Sequence, residues 1–484
     1  MAEKISIVGA GVGGLSLAAR LASRGYEIDI YERLSECGGR AHIIRDKGFV
    51  FDTGPSFVLM PEFFGEVFSY CQQDIKDYLN LKALDTSYKI FYADGEVLTV
   101  YKDSEKTKQE LERLEPGASS GYDKFLKEIG QMYSAVKPLL YKPFYRRDIL
   151  NPKYWSLLPK LKIFLSYWKI AKKFFKSERL CYAFTFEAMF IGVSPFVSPA
   201  FYSIITYVDH KEKIYHPLGG MYEIPKALEK IALKFGARIN YNFEIEKILQ
   251  NNNKFILKSK QGDIDSEKVA VNADYSYSQE SLLRRPLRQL DYSCSVYLLY
   301  LGLKRKVSGL AHHNLFFSSD LRRNLKEIFD SGDAPIDPSF YVHVPTVTDP
   351  GLAPEGKSIA YILVPIPNLE KSQGINESEE ERLRKIIFSK IKLSTGIDLE
   401  DLIEVEHKFY PKDFISRYNI KNAATFGLAH TFSQSAFFRP YNNDQTFKGL
   451  YYVGASTQPG GGLPTVIASS KIVADMITGE AKKP

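Results

Sequence analysis

Apolar and polar positions alternate sharply at the start of the chain. Ile5-Ser6-Ile7-Val8 is a short apolar run of the kind a buried strand makes. Gly9-Ala10-Gly11-Val12-Gly13-Gly14 interrupts it, and Leu15 to Arg24, rich in Ala and Leu, predicts a helix that Gly25 closes. Glu27 to Glu32 alternates as a second strand. Residues 100–210 read as largely helical and aromatic. At 216–236 a glycine turn leads into an amphipathic helix that Pro225 opens and Gly236 closes. Strand-like stretches follow at 237–249, 254–260 and 268–273, with Asn251-Asn252-Asn253 as a hairpin turn. Residues 290–425 mix strands, Ser295–Leu303 and Ser358–Pro365, with a charged helix from Ser378 to Leu393. The tail predicts a strand from Gly449 to Gly454, a Gly-rich loop to Gly462 and a helix from Pro464 to Ile477. No repeat or low-complexity linker separates these stretches, so any domains interleave.

The chain has 484 residues, enough for two large units or three ordinary ones. With 44% hydrophobic and 25% charged residues it is neither disordered, collagen-like nor a small disulfide scaffold. Aromatics reach 13%, which points to an aromatic-lined surface or cavity. Cys37, Cys71, Cys181 and Cys294 lie far apart, with no CxxC and no nearby His at ligand spacing. That argues against a zinc site or disulfides, reads each as a structural thiol, and fits a reducing compartment. The chain enters a strand at Ile5 with no n-region or h-region, so no secretory signal is expected. Ala188 to Val208 is an uncharged run of 21 residues, but Gly192, Pro195 and Pro199 interrupt it. It reads as a buried, Pro-broken helix pair rather than a membrane span.

The opening strand, helix and strand form a β-α-β unit with G-x-G-x-x-G at its first turn and an acid, Glu32, closing its second strand. Gly9 allows the tight turn, Gly11 lets the backbone approach a pyrophosphate, and Gly14 lets the helix pack on the strand. The free N–H groups and positive end of the helix hold phosphates. A carboxylate at Glu32 accepts ribose hydroxyls and disfavours a 2′-phosphate, so FAD or NAD is preferred over NADP. The tail decides between them: a second Gly-rich strand, loop and helix suits the long reach of a flavin. Gly454, Gly460 to Gly462 and Pro464 place a helix N-terminus near Thr465-Val466, where its dipole would face the flavin and stabilise the anionic reduced form. FAD is therefore the expected cofactor.

Gly9–Gly14, Glu32-Arg33, Gly38-Gly39-Arg40 and Asp52-Thr53-Gly54-Pro55-Ser56 resemble the amine-oxidase-type flavoprotein superfamily. The resemblance narrows to bacterial-type phytoene desaturases (carotenoid desaturases) at 215–220, 310–314, 347–356, 434–441 and 453–464. It runs essentially end to end. It implies FAD, an interleaved two-domain fold, membrane association and dehydrogenation of a long hydrophobic polyene precursor, with oxygen or a quinone as final acceptor. By matching position, Gly9, Gly11, Gly14, Glu32, Arg33, Gly39 and Arg40 would serve the ADP half. Gly54, Pro55, Ser56, Gly454 and Val466 would lie at the flavin. The chain reads Ser456-Thr457-Gln458 and Gly461 where many relatives show Gly-Thr-His and Ala, which leaves substrate and regiochemistry open.

Residues 138–176 carry ten Lys or Arg and one acid, Asp148, an excess of nine positive charges against +7 for the whole chain. Ten aromatics are interleaved with them, including Trp155 and Trp168. Basic residues among Trp, Tyr, Phe and Leu suit a surface that dips into anionic lipid. A solvated helical face is the plain alternative, and nucleic acid, the rival for such a surface, is not expected. Asp148 is the candidate acid/base, since the resemblance places an acid near there. An exposed ion pair with Arg146 or Arg147 is its other reading, and Asn151 replaces a basic residue that relatives carry just beyond. His312 and His313 are adjacent, so on a strand they face opposite sides, which argues against a metal pair and reads them as structural.

The expectation is an α/β protein with a Rossmann-type FAD-binding domain (1–98, 212–285, 426–484) interleaved with an α+β substrate domain (99–211, 286–425). In the substrate domain 138–176 would be a helical membrane-associating region. The expected function is an FAD-dependent desaturase that introduces C=C bonds by hydride transfer to flavin, without a metal, cytoplasmic and peripheral on the membrane. Alternatives are a carotenoid isomerase, another flavoprotein oxidase of the amine or porphyrinogen type, and a non-catalytic polyene-binding membrane protein.

Overall fold

The computed structural model describes residues 3–251 and 254–480. Apolar runs at five places pair into a parallel sheet: β1 (Lys4–Val8), β2 (Glu27–Tyr31), β3 (Arg238–Asn240), β4 (Lys268–Val271) and β5 (Leu450–Tyr452). Their order is β5-β4-β1-β2-β3, with Val8 in register with both Tyr31 and Val271. A parallel sheet is covered on both faces, which is why the central strand β1 is buried at Ile5, Ser6, Ile7 and Val8 alike. Three helices serve it: α1 (Val12–Ala22), α2 (Glu223–Lys234) and α3 (Leu463–Thr478). Both α2 and α3 pack on α1, every residue of which is buried. Even Arg20 is enclosed, paired with Glu66 and with Ser470 Oγ at 2.9 Å.

A seven-stranded sheet forms the other half. Its order is Ile403–Phe409, Ser295–Leu303, Ser358–Ile366, Phe340–His343, His313–Phe316, Thr86–Phe91 and Val97–Tyr101. Pairing is antiparallel except between His313–Phe316 and Thr86–Phe91. Ser295–Leu303 is buried throughout because both faces are covered. Tyr297, Leu299, Leu301 and Leu303 pack towards Leu383, Ile387 and Ile391 of the Glu377–Thr395 helix. Val296, Leu298 and Tyr300 join the large aromatic cluster on the opposite face. The charged helix begins one residue earlier than its sequence pattern predicts, because Asn376 and Glu379 form a capping box.

Strands Lys247–Asn251 and Lys254–Lys258 pair as a hairpin, while Asn252 and Asn253 of the expected turn lie outside the described residues. The apolar run 188–208 is broken as its prolines require, into 3-10 turns at Phe186–Ile191 and Ala200–Ser203 and a helix at Ile204–Lys211. Among the described residues no helix is long and apolar enough to cross a membrane. Segment 138–176 differs from a continuous amphipathic helix. It is a series of short turns, with Pro138, Pro152 and Pro159 each among the first two residues of one and the longest, Arg146–Leu150 and Tyr167–Ala171, only five residues. Its two tryptophans also part company: Trp168 is buried against Tyr182 and Phe196, whereas Trp155 is exposed.

Candidate functional site

A cavity of about 670 Å³ opens at the carboxyl ends of β1, β2, β4 and β5, the place where open α/β sheets bind ligands. Its wall includes Gly9, Gly11, Glu32, Arg33, Gly39, Arg40, Gly54, Pro55, Ser56, Gly454 and Val466. The fold thus brings together eleven of the residues picked out by motif and resemblance. Gly14 lies behind the wall, in α1, where a Cβ would overlap the Gly9 carbonyl oxygen. Its place is helix-on-strand packing.

Glu32 is buried, and its carboxylate oxygens accept the N–H groups of Ala10 (2.7 Å) and Leu34 (2.9 Å). Burial pushes its pKa above the ordinary carboxyl value, and those two N–H groups oppose the rise. Each oxygen keeps a second lone pair for a ribose hydroxyl. The Arg40 guanidinium donates to the Thr425 carbonyl at 3.0 Å; burial lowers its pKa and the Asp274 charge works against that. Arg33 turns to the Ser416 and Arg417 carbonyls, so its side chain ties the cradle to the helix Pro411–Tyr418.

At the flavin side the outcome differs in detail from the expectation. The Val466 N–H already donates to the Gly462 carbonyl at 2.9 Å, so Leu463 and Thr465 hold the free donors of that first turn. Ser56 Oγ accepts the Tyr341 hydroxyl at 2.9 Å, and that hydroxyl lies 2.6 Å from His313 Nδ1.

Sequence reasoning missed several residues. Asn272 follows β4 directly, lines the cavity, and donates from Nδ2 to the Val453 carbonyl at 2.8 Å, linking the end of β4 to the strand end beside it. Asp274 accepts the Ser276 N–H (3.0 Å) and the Ser456 hydroxyl (3.0 Å), and burial pushes its pKa up. His430 is held neutral by burial, with Nε2 accepting the Gly461 N–H at 3.1 Å and Nδ1 donating to the Ile191 carbonyl at 3.1 Å. It fastens the C-terminal glycine loop to the aromatic wall. The only available signal was the placement of Asn272 and Asp274 just past a strand end.

Beyond the cradle the cavity wall is apolar: Phe186, Phe190, Phe201, Ile204 and Ile205 from the helical region, and Val296, Leu298, Phe340, Tyr341 and Leu363 from the seven-stranded sheet. Asp148 is not part of this wall. Its Oδ2 accepts the Tyr145 N–H at 2.8 Å, closing the turn that follows Phe144, and among the described residues it forms no ion pair with Arg146 or Arg147. Phe144 does line the cavity, clamped by Gln458 through two 2.7 Å hydrogen bonds.

The glycine cradle without side chains, the buried Glu32 and the free N–H groups at two helix ends fit a flavin dinucleotide. Fold and site therefore define a flavoprotein oxidoreductase with a dinucleotide sheet and a second, cavity-forming sheet. The model of the flavin containing amine oxidoreductases matches residues 12–478, and the chain belongs to that family. It is 37% identical to a zeta-carotene-forming phytoene desaturase of Myxococcus xanthus, over 98% of this chain and 94% of that protein. It is 35% identical to a 4,4'-diapophytoene desaturase (4,4'-diaponeurosporene-forming) of Staphylococcus aureus, over 98% of both chains. Among solved structures, putrescine oxidase superposes with a TM-score of 0.63 at 14% identity, over 99% of each chain. An oxidoreductase from Methanosarcina mazei gives 0.63 at 17% identity, over 98% of this chain and 100% of that one.

Proposed function

We propose that this chain is an FAD-dependent desaturase that introduces C=C bonds into a linear carotenoid precursor. The observation that carries this reading is the continuity of a dinucleotide cradle with a cavity walled by aromatic and aliphatic side chains. A hydrocarbon offers no polar handle, so shape and apolar contact must orient it, and the names of the two curated relatives agree. Bound FAD would supply a two-electron acceptor that takes both hydrogens of a CH2–CH2 unit, one as hydride and one as a proton, and becomes the reduced dihydro form. The chain's own residues do the rest: Phe186, Phe190, Leu298 and Leu363 hold the substrate and exclude water. The N–H groups of Leu463 and Thr465 favour negative charge at the mouth of α3. Oxygen or a quinone would close the cycle.

Expression in cells that make phytoene or diapophytoene, with pigment analysis, tests the reading. Products with longer conjugated chromophores are expected. Geometric isomers alone would favour an isomerase, and unchanged substrate despite bound flavin would favour an oxidase of another class. Protein that takes up no flavin would leave only a polyene-binding role.

In this reading Asp148 is a positioning residue for Phe144. Asp148→Asn keeps an acceptor oxygen for the Tyr145 N–H, so turnover should stay within a fewfold of wild type. Loss of roughly 10²–10⁴-fold would instead mark it as the acid/base. The two sheets support the interleaved division into cofactor and substrate units, with Thr86–Tyr101 counted on the substrate side because they extend the seven-stranded sheet.

Membrane docking is the other part of the proposal. Leu150 is 77% exposed, Trp155 55% and Phe164 86%, and exposed Lys153, Lys160, Lys169, Lys172 and Lys173 belong to the same segment. Apolar side chains in water beside cations suit anionic headgroups, where each cation contributes about 1 kcal/mol. The double variant Leu150→Glu/Phe164→Glu should no longer sediment with anionic vesicles, while keeping its flavin. Lys169, Lys172 and Lys173 changed together to Glu should weaken sedimentation in a salt-like manner. Undiminished sedimentation of both variants would show that the segment is a solvated face.

A further inference from the structure

Three histidines far apart in sequence meet behind the cavity wall. His216 lies on the short strand Tyr215–Pro217, His312 just before His313–Phe316, and His343 at the end of Phe340–His343. All three are buried, and one ring nitrogen from each lies within 4.8 Å of the others. His312 Nε2 and His343 Nε2 are 2.9 Å apart. The other nitrogen of His312, Nδ1, is held by Thr348 Oγ1 at 2.8 Å, which aims Nε2 into the cluster. His216 has no hydrogen-bond partner on either ring nitrogen and no exposure to solvent. Asp349 Oδ2, 3.6 Å from Nε2, is in ion-pair range but beyond hydrogen-bond length, and a buried ring left without hydrogen bonds is costly and calls for an occupant.

We propose that His216, His312 and His343 bind a divalent first-row transition ion, with Zn²⁺ the best match. Three imidazoles, one of them oriented by a hydroxyl at its other ring nitrogen, are a familiar zinc donor set, and zinc takes nitrogen at about 2.0–2.1 Å. Reaching that geometry needs side-chain closure on the order of 1 Å by His216 towards the other two. Two acids supply balancing charge. Asp349 Oδ2 stands 3.6 Å from His216 Nε2 while accepting the Gly219 N–H at 2.6 Å, and Asp52 close by accepts the N–H groups of Met221 and Tyr222. His313 is not a ligand, since it faces Tyr341 and stacks on Phe57 at 4.0 Å. His216 belongs to the stretch leading into α2 and the other two to the seven-stranded sheet, so the ion would staple the two halves together.

The test uses full-length flavoprotein purified without a metal-affinity column, dialysed against chelator and then titrated with Zn²⁺ alone. One Zn²⁺ per chain by elemental analysis is expected, with a rise in melting temperature on metal addition. His216→Ala removes no hydrogen bond, only the 3.6 Å contact with Asp349, which keeps the Gly219 N–H, so it should fold and keep its flavin, yet lose more than about a hundredfold in Zn²⁺ affinity. Thr348→Val should lose roughly 10–100-fold by freeing the His312 ring. Wild-type protein that takes up no stoichiometric Zn²⁺, Co²⁺ or Ni²⁺ would overturn the proposal. So would Zn²⁺ binding of equal strength in wild type and His216→Ala. Should His216→Ala fail to fold, the wild-type titration and Thr348→Val still decide.

Discussion

Glu32→Ala should purify largely without flavin. The carboxyl group is buried, and each oxygen accepts one backbone N–H and keeps a second lone pair, so bonds from it to the ribose hydroxyls of bound FAD would contribute about 1.5–3 kcal/mol. That is roughly a 10- to 100-fold loss of FAD affinity. A second cost falls on the fold itself, because the Ala10 and Leu34 N–H groups lose their acceptor at about 1–3 kcal/mol each. Comparing the melting temperatures of apo wild type and apo variant separates the two costs, and flavin titration of each gives the affinity. Equal FAD affinity in variant and wild type would mean that Glu32 serves only the Gly-loop backbone.

Gly54→Ala should be as damaging, for a steric reason. A Cβ at Gly54 would overlap the Arg40 carbonyl oxygen, which is backbone and cannot swing aside as a side chain would. Arg40, Ala41 and Gly54 all line the cavity, so any relief deforms the cofactor site directly. Overpacking of this kind costs about 1–3 kcal/mol, and a flavin occupancy at least tenfold below wild type is expected. Gly65→Ala is the matched control. Gly65 sits inside the helix Pro61–Tyr70, where a Cβ would meet only Ile75 Cγ2 at 3.9 Å, so the change should be neutral or stabilising by up to about 1 kcal/mol. Equal flavin content in both alanine variants would contradict the assignment of Gly54 to the cofactor wall.

What the sequence made legible was local. The strand, Gly-rich turn, helix and acid of residues 5–32 are contiguous, and each is dictated by a short-range rule, so their fold and chemistry were readable together. The tail motif was readable for the same reason, although the hydrogen bond from Val466 to Gly462 moved the free donors to Leu463 and Thr465. Asn272, Asp274, His430 and Tyr341 escaped notice because each acquires its role from a partner far away in sequence. Asn272 reaches Val453, and His430 bridges Gly461 and Ile191. Basic and aromatic composition alone could not tell Trp155 from Trp168, since burial against Tyr182 and Phe196 is a tertiary fact. The histidine cluster lay further still from sight. His216, His312 and His343 share no spacing pattern, and only the packing of the Tyr215–Pro217 strand against the seven-stranded sheet assembles them.

The central claim is that the flavin cradle and the apolar cavity form one oxidising site for a polyene hydrocarbon. Anaerobic mixing of the flavin-loaded protein with phytoene or diapophytoene in vesicles tests it most directly, following the flavin's visible absorbance together with extracted pigments. The account predicts that the flavin band bleaches as a product with a longer conjugated chromophore appears, one flavin reduced for each double bond introduced. A flavin that stays oxidised with either hydrocarbon, while an amine or a porphyrinogen reduces it, would contradict the account.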